Sequence, residues 1–364
     1  MSIPYIENVY FQSVSSNSDV TVRFNNSCQE CLCESRFGNI SNNDYVALNC
    51  FTNNTCQFFQ YFPTSYKLSM SNGTRLYFLQ QQFPNASKCC ISNITELMDR
   101  LKTVTPTTIN LTFKPAAFGY DSSIPSEAAV IGYDPGNLYW FNPLTTAFIR
   151  NSSIDTILTL ALYENQTFTA NNGISVINIR DKQTNNYINN VSYPSLGSVR
   201  KIIFINDGQT MIVSTQNNLS LTVFDINSPM NYTYREQIPV PLLNAHGIAQ
   251  VNDTFLYVSS WSDQSIASCE YENSMWNQKI FVNYTITTAG SHIAVDDCER
   301  VWFINTQFGL RIYDSSGTEI SNWNMSLSST NTIYDILLLP NYVLLITHVE
   351  HMKIVQYDPQ MTCS

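Results

Sequence analysis

The residues best suited to acid–base chemistry in this sequence are its four histidines. His246 and His292 open two similar segments, Ala-His-Gly-Ile-Ala and Ser-His-Ile-Ala-Val, and so hold equivalent positions in a repeat. His348 and His351 flank a short segment that we predict to be a turn, a poor place for two metal ligands. No Gly-x-Ser-x-Gly, phosphate-loop or His-x-x-x-His motif accompanies them. We therefore expect His246 and His292 to be part of the repeated sequence pattern and not to act as general bases.

The acidic residues are spread along the chain and do not gather near the histidines. Six aspartates fall at predicted turns or strand ends, where a carboxylate accepts hydrogen bonds from backbone amides. They are Asp134, Asp225, Asp253, Asp296, Asp314 and Asp335. A calcium site would need several acidic or amide side chains that converge on one point. The pattern predicts no catalytic residues, no metal and no cofactor, and we expect the protein not to be an enzyme.

Cysteines are concentrated near the N-terminus. Those between residues 28 and 90 are Cys28, Cys31, Cys33, Cys50, Cys56, Cys89 and Cys90, and those that follow are Cys269, Cys298 and Cys363. Such density predicts disulfide bonds and an oxidising compartment. Structural zinc is the alternative, because Cys28-x-x-Cys31 has ligand spacing. Its second ligand pair would be the adjacent Cys89 and Cys90, and no histidine lies near.

The pairing of these cysteines stays open at the level of sequence. Both groups contain an odd number, so complete pairing requires at least one bridge between them. We expect Cys363 to reach back to the N-terminal group and Cys269 to pair with Cys298. A disulfide that closes such a long loop stabilises a fold by roughly 2–5 kcal/mol. An unpaired or intermolecular cysteine is the alternative.

Asn-x-Ser/Thr acceptor sequences are unusually frequent. Fifteen of the 40 asparagines head one, about double the number expected by chance from the Ser and Thr content. They are Asn25, Asn39, Asn53, Asn72, Asn85, Asn93, Asn110, Asn151, Asn165, Asn190, Asn218, Asn231, Asn252, Asn283 and Asn324. Charged residues make up only 13% of the chain, so attached glycans would help to keep its surface hydrated. An unmodified Asn-rich surface is the alternative.

Net charge and hydropathy limit where this protein can be located and which molecules it can bind. The net charge of −10 argues against binding to nucleic acid or anionic membranes. No apolar run approaches the roughly 20 residues of a membrane span. The start, Met-Ser-Ile-Pro, does not resemble a secretion signal. We expect a secreted, extracellular protein whose numbering begins after a removed signal or at an internal methionine.

A repeat of about 44 residues organises the C-terminal part of the chain. Apolar strands that follow a tight polar turn begin at residues 210, 254, 300 and 342, a fifth copy begins at 167 and a weaker sixth at 138. A period in the forties with several short strands per unit is typical of propeller blades. We predict a mostly β fold, a six-bladed β-propeller preceded by a small disulfide-rich α+β domain. The first blade should be abbreviated or completed by chain from elsewhere, such as residues 110–113.

Three regions follow from this pattern. Residues 1–26 form an extended arm, residues 27–108 a cysteine-rich domain that ends in a short helix over 92–103, and residues 109–364 the propeller. The arm carries β-forming residues suited to pairing with a sheet edge, Ile3, Tyr5, Ile6, Val9, Tyr10 and Phe11. That edge could be the protein's own propeller or a neighbouring copy, in which case a filament would form.

Two family resemblances refine the prediction. The segments at His246 and His292 resemble the opening of NHL-type repeats, which implies six-bladed propellers that include calcium-dependent lactonases and lyases. The cysteine-rich region resembles a PAN/apple module at Cys28, Cys31, Cys50 and Cys56. This resemblance implies a helix clipped by disulfides to a small sheet, and a module that binds protein or carbohydrate.

Three functions are consistent with these features. The first is a secreted, glycosylated structural or adhesive protein, in its sharper form a head-to-tail filament of identical copies joined by the N-terminal strand. The second is an extracellular module that binds protein or carbohydrate. The third is a calcium-dependent propeller hydrolase. Low charge, many acceptor sequences and scattered acids favour the first.

Overall fold

A computed structural model describes residues 5–13, 20–24, 27–28, 30–31, 47–59, 66–78, 91, 93–134, 136–155, 157–171, 173–194, 196–206, 208–216, 218–228, 231–262, 265–283, 291–305, 309–325 and 333–361. The chain divides into two compact units, Met1–Ser87 and Lys88–Ser364. The second unit thus starts before residue 108, where the sequence suggested a boundary. It includes the amphipathic helix α1 (Ile94–Thr103).

The first unit is a five-stranded antiparallel sheet. Its strands are β1 (Tyr5–Ser13), β2 (Val20–Phe24), β3 (Ala47–Cys50), β4 (Thr55–Phe59) and β5 (Tyr66–Phe78). They lie in the order β1-β5-β3-β4-β2. Disulfides join Cys28 to Cys50 and Cys31 to Cys56, and these sulfurs pack with Leu48 and Phe58 in one small core. Cross-links of this kind replace the apolar area that so small a unit lacks.

The N-terminal strand has a partner within its own unit. β1 pairs antiparallel with β5, from Tyr5 opposite Tyr77 to Ser13 opposite Tyr66. The sequence suggested the propeller or a neighbouring molecule as its partner, and the sheet of the cysteine-rich unit is the partner instead. The pairing runs along the whole nine-residue strand, with one irregularity in register between Glu7 and Val9. β1 is nevertheless the end strand of the sheet.

In its described residues the second unit forms six four-stranded antiparallel sheets, which confirms the predicted six-bladed propeller. Blade one has β7 (Lys114–Tyr120), β8 (Ala128–Asp134), β9 (Gly136–Phe141) and β10 (Phe148–Ser153). Blade two has β11 (Thr159–Tyr163), β12 (Gln166–Ala170), β13 (Val176–Asp181) and β14 (Tyr187–Ser192). Blade three has β15 (Ser198–Ile205), β16 (Thr210–Gln216), β17 (Ser220–Ser228) and β18 (Asn231–Pro239).

The remaining blades repeat this plan. Blade four has β19 (Ala245–Asn252), β20 (Phe255–Ser260), β21 (Ile266–Glu272) and β22 (Met275–Val282). Blade five has β23 (Ser291–Val295), β24 (Val301–Asn305), β25 (Gly309–Tyr313) and β26 (Glu319–Trp323). Blade six has β27 (Ile333–Leu338), β28 (Leu344–His348), β29 (Lys353–Tyr357) and β6 (Thr107–Asn110). The inner strands β7, β11, β15, β19, β23 and β27 contact one another in a ring.

The ring is closed in blade six, which combines strands from both ends of the propeller sequence. β6, the first strand of the propeller, pairs antiparallel with β29, so that Ile109 lies opposite Ile354. Blade one is complete with four strands of its own, and the prediction of an abbreviated first blade is wrong. The error has a simple cause. The strand near residue 138 that we assigned as the second of its blade is the third, because β7 over 114–120 precedes it.

The strand pairing of β6 is reinforced by side chains. Ile109 packs with Phe118, Val343 and Ile354 in a buried cluster that spans blades six and one. Gln356 of β29 donates from Nε2 to the carbonyls of Pro143 and Leu144, at 2.7 and 3.0 Å, in a loop of blade one. The two ends of the propeller sequence are therefore held by both a backbone ladder and a shared core.

We expect Ile109→Ala to lower the free energy of unfolding by about 3 kcal/mol, because it empties a core that closes the ring. Thr108→Ala, on the exposed side of the same strand, should change it by less than about 0.5 kcal/mol. Urea unfolding followed by tryptophan fluorescence measures both. Equal effects of the two substitutions would show that ring closure does not depend on this core.

Candidate functional site

The acceptor asparagines lie on the surface. Twelve of the 15 fall in the described residues, and Asn25, Asn39 and Asn85 lie outside them. Eleven of the twelve are exposed, Asn218 is half-buried and none is buried. Asparagines outside acceptor sequences include fully buried ones such as Asn49 and Asn305. The acceptor sequences are therefore placed where a glycan could be carried.

Half of these acceptor asparagines follow the blade plan. Every outer strand of the propeller carries one, either within the strand or on the residue directly after it. In blade order they are Asn151, Asn190, Asn231, Asn283, Asn324 and Asn110. Each outer strand ends its sheet, so one of its edges has no neighbouring strand in that sheet. We call this set the rim asparagines.

The four described cysteines of the first unit form disulfides, as predicted, and the second unit differs from the prediction. Cys298 is disulfide-bonded, but Cys269 is a free, fully buried thiol, so the predicted bridge between them is wrong. Cys269 packs among Leu256, Val258 and Ala267 in the core of blades three and four. This burial raises the pKa of its thiol to about 12, which leaves it unreactive. Cys33, Cys89, Cys90 and Cys363 lie outside the described residues, as does Ile3 of the N-terminal strand.

The two repeat histidines lie in the central channel. His246 and His292 are each the second residue of an inner strand, β19 and β23, and both are at most 3% exposed. Their ring centroids are 4.6 Å apart in an edge-to-face arrangement. The ring centroid of Trp261 lies 4.6 Å from the ring centroid of His246. The ring centroid of Tyr334 lies 5.3 Å from the ring centroid of His292.

A charged group from three further blades completes this cluster. Asp335 of β27 accepts a hydrogen bond from Lys201 Nζ of β15 at 3.0 Å and from the backbone N–H of Phe118 of β7 at 2.9 Å. Its other oxygen accepts from the N–H of Ile336 and lies 3.2 Å from Nδ1 of His292, without hydrogen-bond alignment. Blades three and six face each other across a six-membered ring. The Lys201–Asp335 pair therefore crosses the channel.

Burial and charge fix the protonation states. Burial alone would raise the pKa of Asp335, but the Lys201 ammonium and the hydrogen bond from the Phe118 N–H hold it well below its usual range. Burial lowers the pKa of His246, and the cationic Arg200 lowers it further. Burial also lowers that of His292, although Asp335 opposes the shift. The cluster thus places an ionised Asp335 beside two imidazoles whose pKa values lie below the usual value for histidine.

The chemistry open to this cluster is limited by its packing. Nδ1 of His246 and Nε2 of His292 have no hydrogen-bond partner among the described residues, and both atoms are buried. Within the described ranges, no group of three His, Cys, Asp or Glu side chains is arranged to hold a metal ion. His348 is buried at the end of β28, where burial lowers its pKa to about 4, whereas His351 is exposed in the turn. The clearest role of the cluster is to tie blades across the channel.

Four of the six aspartates accept hydrogen bonds from backbone amides as predicted, three of them at turns and Asp335 within β27 as described above. Asp253 accepts from the N–H of Asn206, Asp296 from those of Cys298 and Arg300, and Asp314 from those of Ser316 and Thr318. Asp225 instead forms an exposed ion pair with Arg235. The side chain of Asp134 lies outside the described residues.

Sequence reasoning missed the charged members of the channel. Arg200 and Lys201 interrupt an otherwise apolar inner strand, and Arg200 NH1 lies 3.4 Å from the hydroxyl of Tyr334. Two adjacent cations within a buried strand require a counter-charge. That signal was present in the sequence and predicts a buried acidic partner, but only the fold identifies this partner as Asp335.

Comparison with known proteins supports the fold. No protein-family model and no curated protein matches the sequence, so the NHL-type and PAN/apple resemblances stay predictions. A gluconolactonase from Xanthomonas campestris matches with a TM-score of 0.51 and 11% identity, over 69% of this chain and 89% of that one. The WD40 β-propeller domain of Doa1 matches with a TM-score of 0.50 and 9% identity, over 68% and 79%. At such identities the likeness shows a β-propeller fold alone.

We expect Asp335→Asn to cost about 3 kcal/mol of unfolding free energy, because it leaves Lys201 without its counter-charge in a buried site. Asp225→Asn removes the exposed pair with Arg235 and should cost less than about 1 kcal/mol. Thermal and urea unfolding of the two variants measures the difference. If Asp335→Asn were as mild as Asp225→Asn, the cross-channel contact would not stabilise the ring.

Proposed function

We propose that this chain is a secreted, N-glycosylated, non-enzymatic protein with a structural or adhesive role. The observation that carries the proposal is the set of rim asparagines, one on the outer strand of every blade. The propeller serves as a rigid body whose circumference is covered by glycans. Contacts with other extracellular molecules are left to its two faces and to the cysteine-rich unit.

Glycans at these positions would solve a physical problem of the fold. An exposed edge strand presents unpaired N–H and C=O groups that can pair with another chain. Soluble proteins often protect such edges with charged side chains, but only 13% of this chain is charged. A bulky, hydrated sugar beside each outer strand would keep the edges of two molecules apart. The acceptor sequences therefore lie beside the unpaired strand edges that require protection.

The disulfides support an extracellular location. Cys28–Cys50 and Cys31–Cys56 join the segment around residues 28–31 to β3 and β4, and Cys298 is also bonded. Disulfides of this kind persist in oxidising compartments and are rare in the cytosol. In the described part of the chain, no helix is long and apolar enough to cross a membrane.

A propeller hydrolase is the main competing function, because one structural neighbour is a gluconolactonase. The channel of this chain favours a non-catalytic role. Its polar groups at the start of the inner strands form a cross-channel ion pair with neutral, buried imidazoles around it. An extracellular module that binds protein or carbohydrate is the second alternative, and it is compatible with the same rim.

The rim can be tested against a matched set of acceptor sites. Replacing the six rim asparagines with glutamine should make the secreted protein associate, so that light scattering and size-exclusion chromatography detect large species. Replacing the other six described acceptors, Asn53, Asn72, Asn93, Asn165, Asn218 and Asn252, should leave it monodisperse. Equal behaviour of the two variants would contradict a protective role of the rim, and absence of glycan from both would contradict the proposal itself.

Self-assembly into a filament is the sharper form of the structural role. β1 favours it, since this strand ends its sheet and its other edge has no neighbouring strand there. Copies joined head to tail through such an edge do not close and would extend indefinitely. The expected partners are then identical copies of the chain.

Negative-stain electron microscopy of the glycosylated protein, with and without residues 1–13, tests the filament. We expect fibres that disappear on truncation. Circular dichroism and the melting temperature of the truncated protein check that the remainder is folded. Discrete particles in the full-length sample at all concentrations would contradict self-assembly and leave the non-filamentous structural role.

A further inference from the structure

A cavity of about 430 Å³ opens at the end of the propeller where the inner strands finish. Residues from blades one, two, three, four and six line it, among them Tyr120, Asp121, Tyr163, Phe204 and Asp253. This is the opposite end of the inner strands from His246 and His292. The volume is within the range of cavities that bind small molecules.

One wall of the cavity is aromatic and held in place by packing. The rings of Tyr163 and Phe204 stack with centroids 4.8 Å apart and planes at 27°. Gly208, whose φ is +77°, lies directly against the Tyr163 ring, and a Cβ there would come within 1.9 Å of the Tyr163 Cζ and hydroxyl oxygen. The glycine thus permits both the turn and the position of the ring. Phe118 and Tyr120 are further aromatic residues of the lining.

The charge of the lining is negative in sum. Among the described lining residues, Asp121 and Asp253 are acidic and Lys201 alone is basic. The Lys201 charge is matched by Asp335, which lies 3.0 Å away. Asp121 accepts hydrogen bonds from Ser123 and from the N–H of Glu164, and Asp253 accepts from the N–H of Asn206. These neutral donors leave two carboxylate charges at the mouth of an aromatic cavity.

We propose that this cavity binds a small organic cation, an ammonium group on an aromatic or aliphatic body. The carboxylates of Asp121 and Asp253 attract the ammonium, and electron-rich rings stabilise a cation placed beside them. The apolar lining, including Leu160, Ile203 and Leu337, accommodates the body of the ligand. An anion would meet two like charges and only a lysine that is already paired.

The surroundings of the mouth select for small ligands. Asn165 lies on the turn after Tyr163, and Asn252 lies on the turn that contains Asp253. Both are exposed acceptor asparagines. Glycans there would border the opening and hinder a folded partner, while a compound of about a dozen heavy atoms could still enter.

The test uses three probes with the same phenol ring, similar size and different charge on the secreted, full-length protein. Tyramine is cationic, tyrosol replaces its ammonium with a hydroxyl, and 4-hydroxyphenylacetate is anionic. Isothermal titration calorimetry should show tyramine binding about tenfold more tightly than tyrosol, with the anion weakest. No tyramine binding up to about 10 mM, or equal affinity for the three probes, would overturn the proposal.

Variants separate the cavity from a general effect of net charge. Asp253→Asn and Asp121→Gln should each reduce the preference for tyramine over tyrosol several-fold. Glutamine is used at 121 because asparagine there would create a new acceptor sequence with Ser123. Asp155→Asn removes an exposed acid outside the cavity and should leave the preference unchanged.

A substitution that blocks the cavity mouth distinguishes loss of the binding site from loss of the fold. Ser122→Trp places a large ring at the exposed mouth and should abolish tyramine binding while the melting temperature stays within a few degrees of the parent. Tyramine binding that survives in a folded Ser122→Trp protein would show that the ligand binds elsewhere and would overturn the assignment.

Discussion

The antiparallel pairing of β6 with β29 is the contact on which the propeller depends. A ring of sheets has two chain ends, and unless they join, blades six and one lose their common boundary. Here the ladder from Thr107–Asn110 to Lys353–Gln356 joins them. Leu111 extends the contact, since its N–H donates to the carbonyl of Met352 at 2.7 Å. With the ends fixed, each inner strand has a neighbour on both sides and the channel acquires its shape.

The channel and the rim are consequences of that closed ring. Six inner strands around one axis bring Lys201 of blade three opposite Asp335 of blade six, although 134 residues separate them. The same geometry turns six outer strands toward solvent, each with one edge unpaired in its sheet. The first consequence adds a cross-channel contact that stabilises the ring. The second creates six edges that need protection, and an acceptor asparagine is found at each of them.

The sequence predicted the propeller because the inner three strands of a blade are buried on both faces. β24 and β28 are buried at every position, so they stand out as continuous apolar runs. The fourth strands were not predicted, because exposed strands such as β18 and β22 alternate with many polar residues and resemble loops. That weak signal also hid β6. The wrong position for the incomplete blade has a different cause, which is that the inner strand β7 was missed.

Candidate sites made of local sequence could be predicted, whereas sites assembled from distant residues could not. Acceptor asparagines are local sequences, and their exposure follows from their polar surroundings. The cavity and the cluster around Asp335 combine residues from five blades, and only the folded ring brings Tyr163, Phe204 and Asp253 together. The pairing of cysteines is likewise a matter of distance in the fold, which is why Cys269 was assigned wrongly.

Site-resolved mass spectrometry of glycopeptides from the secreted protein tests the central claim most directly. Deglycosylation in heavy-oxygen water would mark each occupied asparagine as a labelled aspartate. The account predicts modification at Asn110, Asn151, Asn190, Asn231, Asn283 and Asn324, so that every blade carries a glycan at its rim. Unmodified peptides at these six positions, from protein that is folded and secreted, would contradict it.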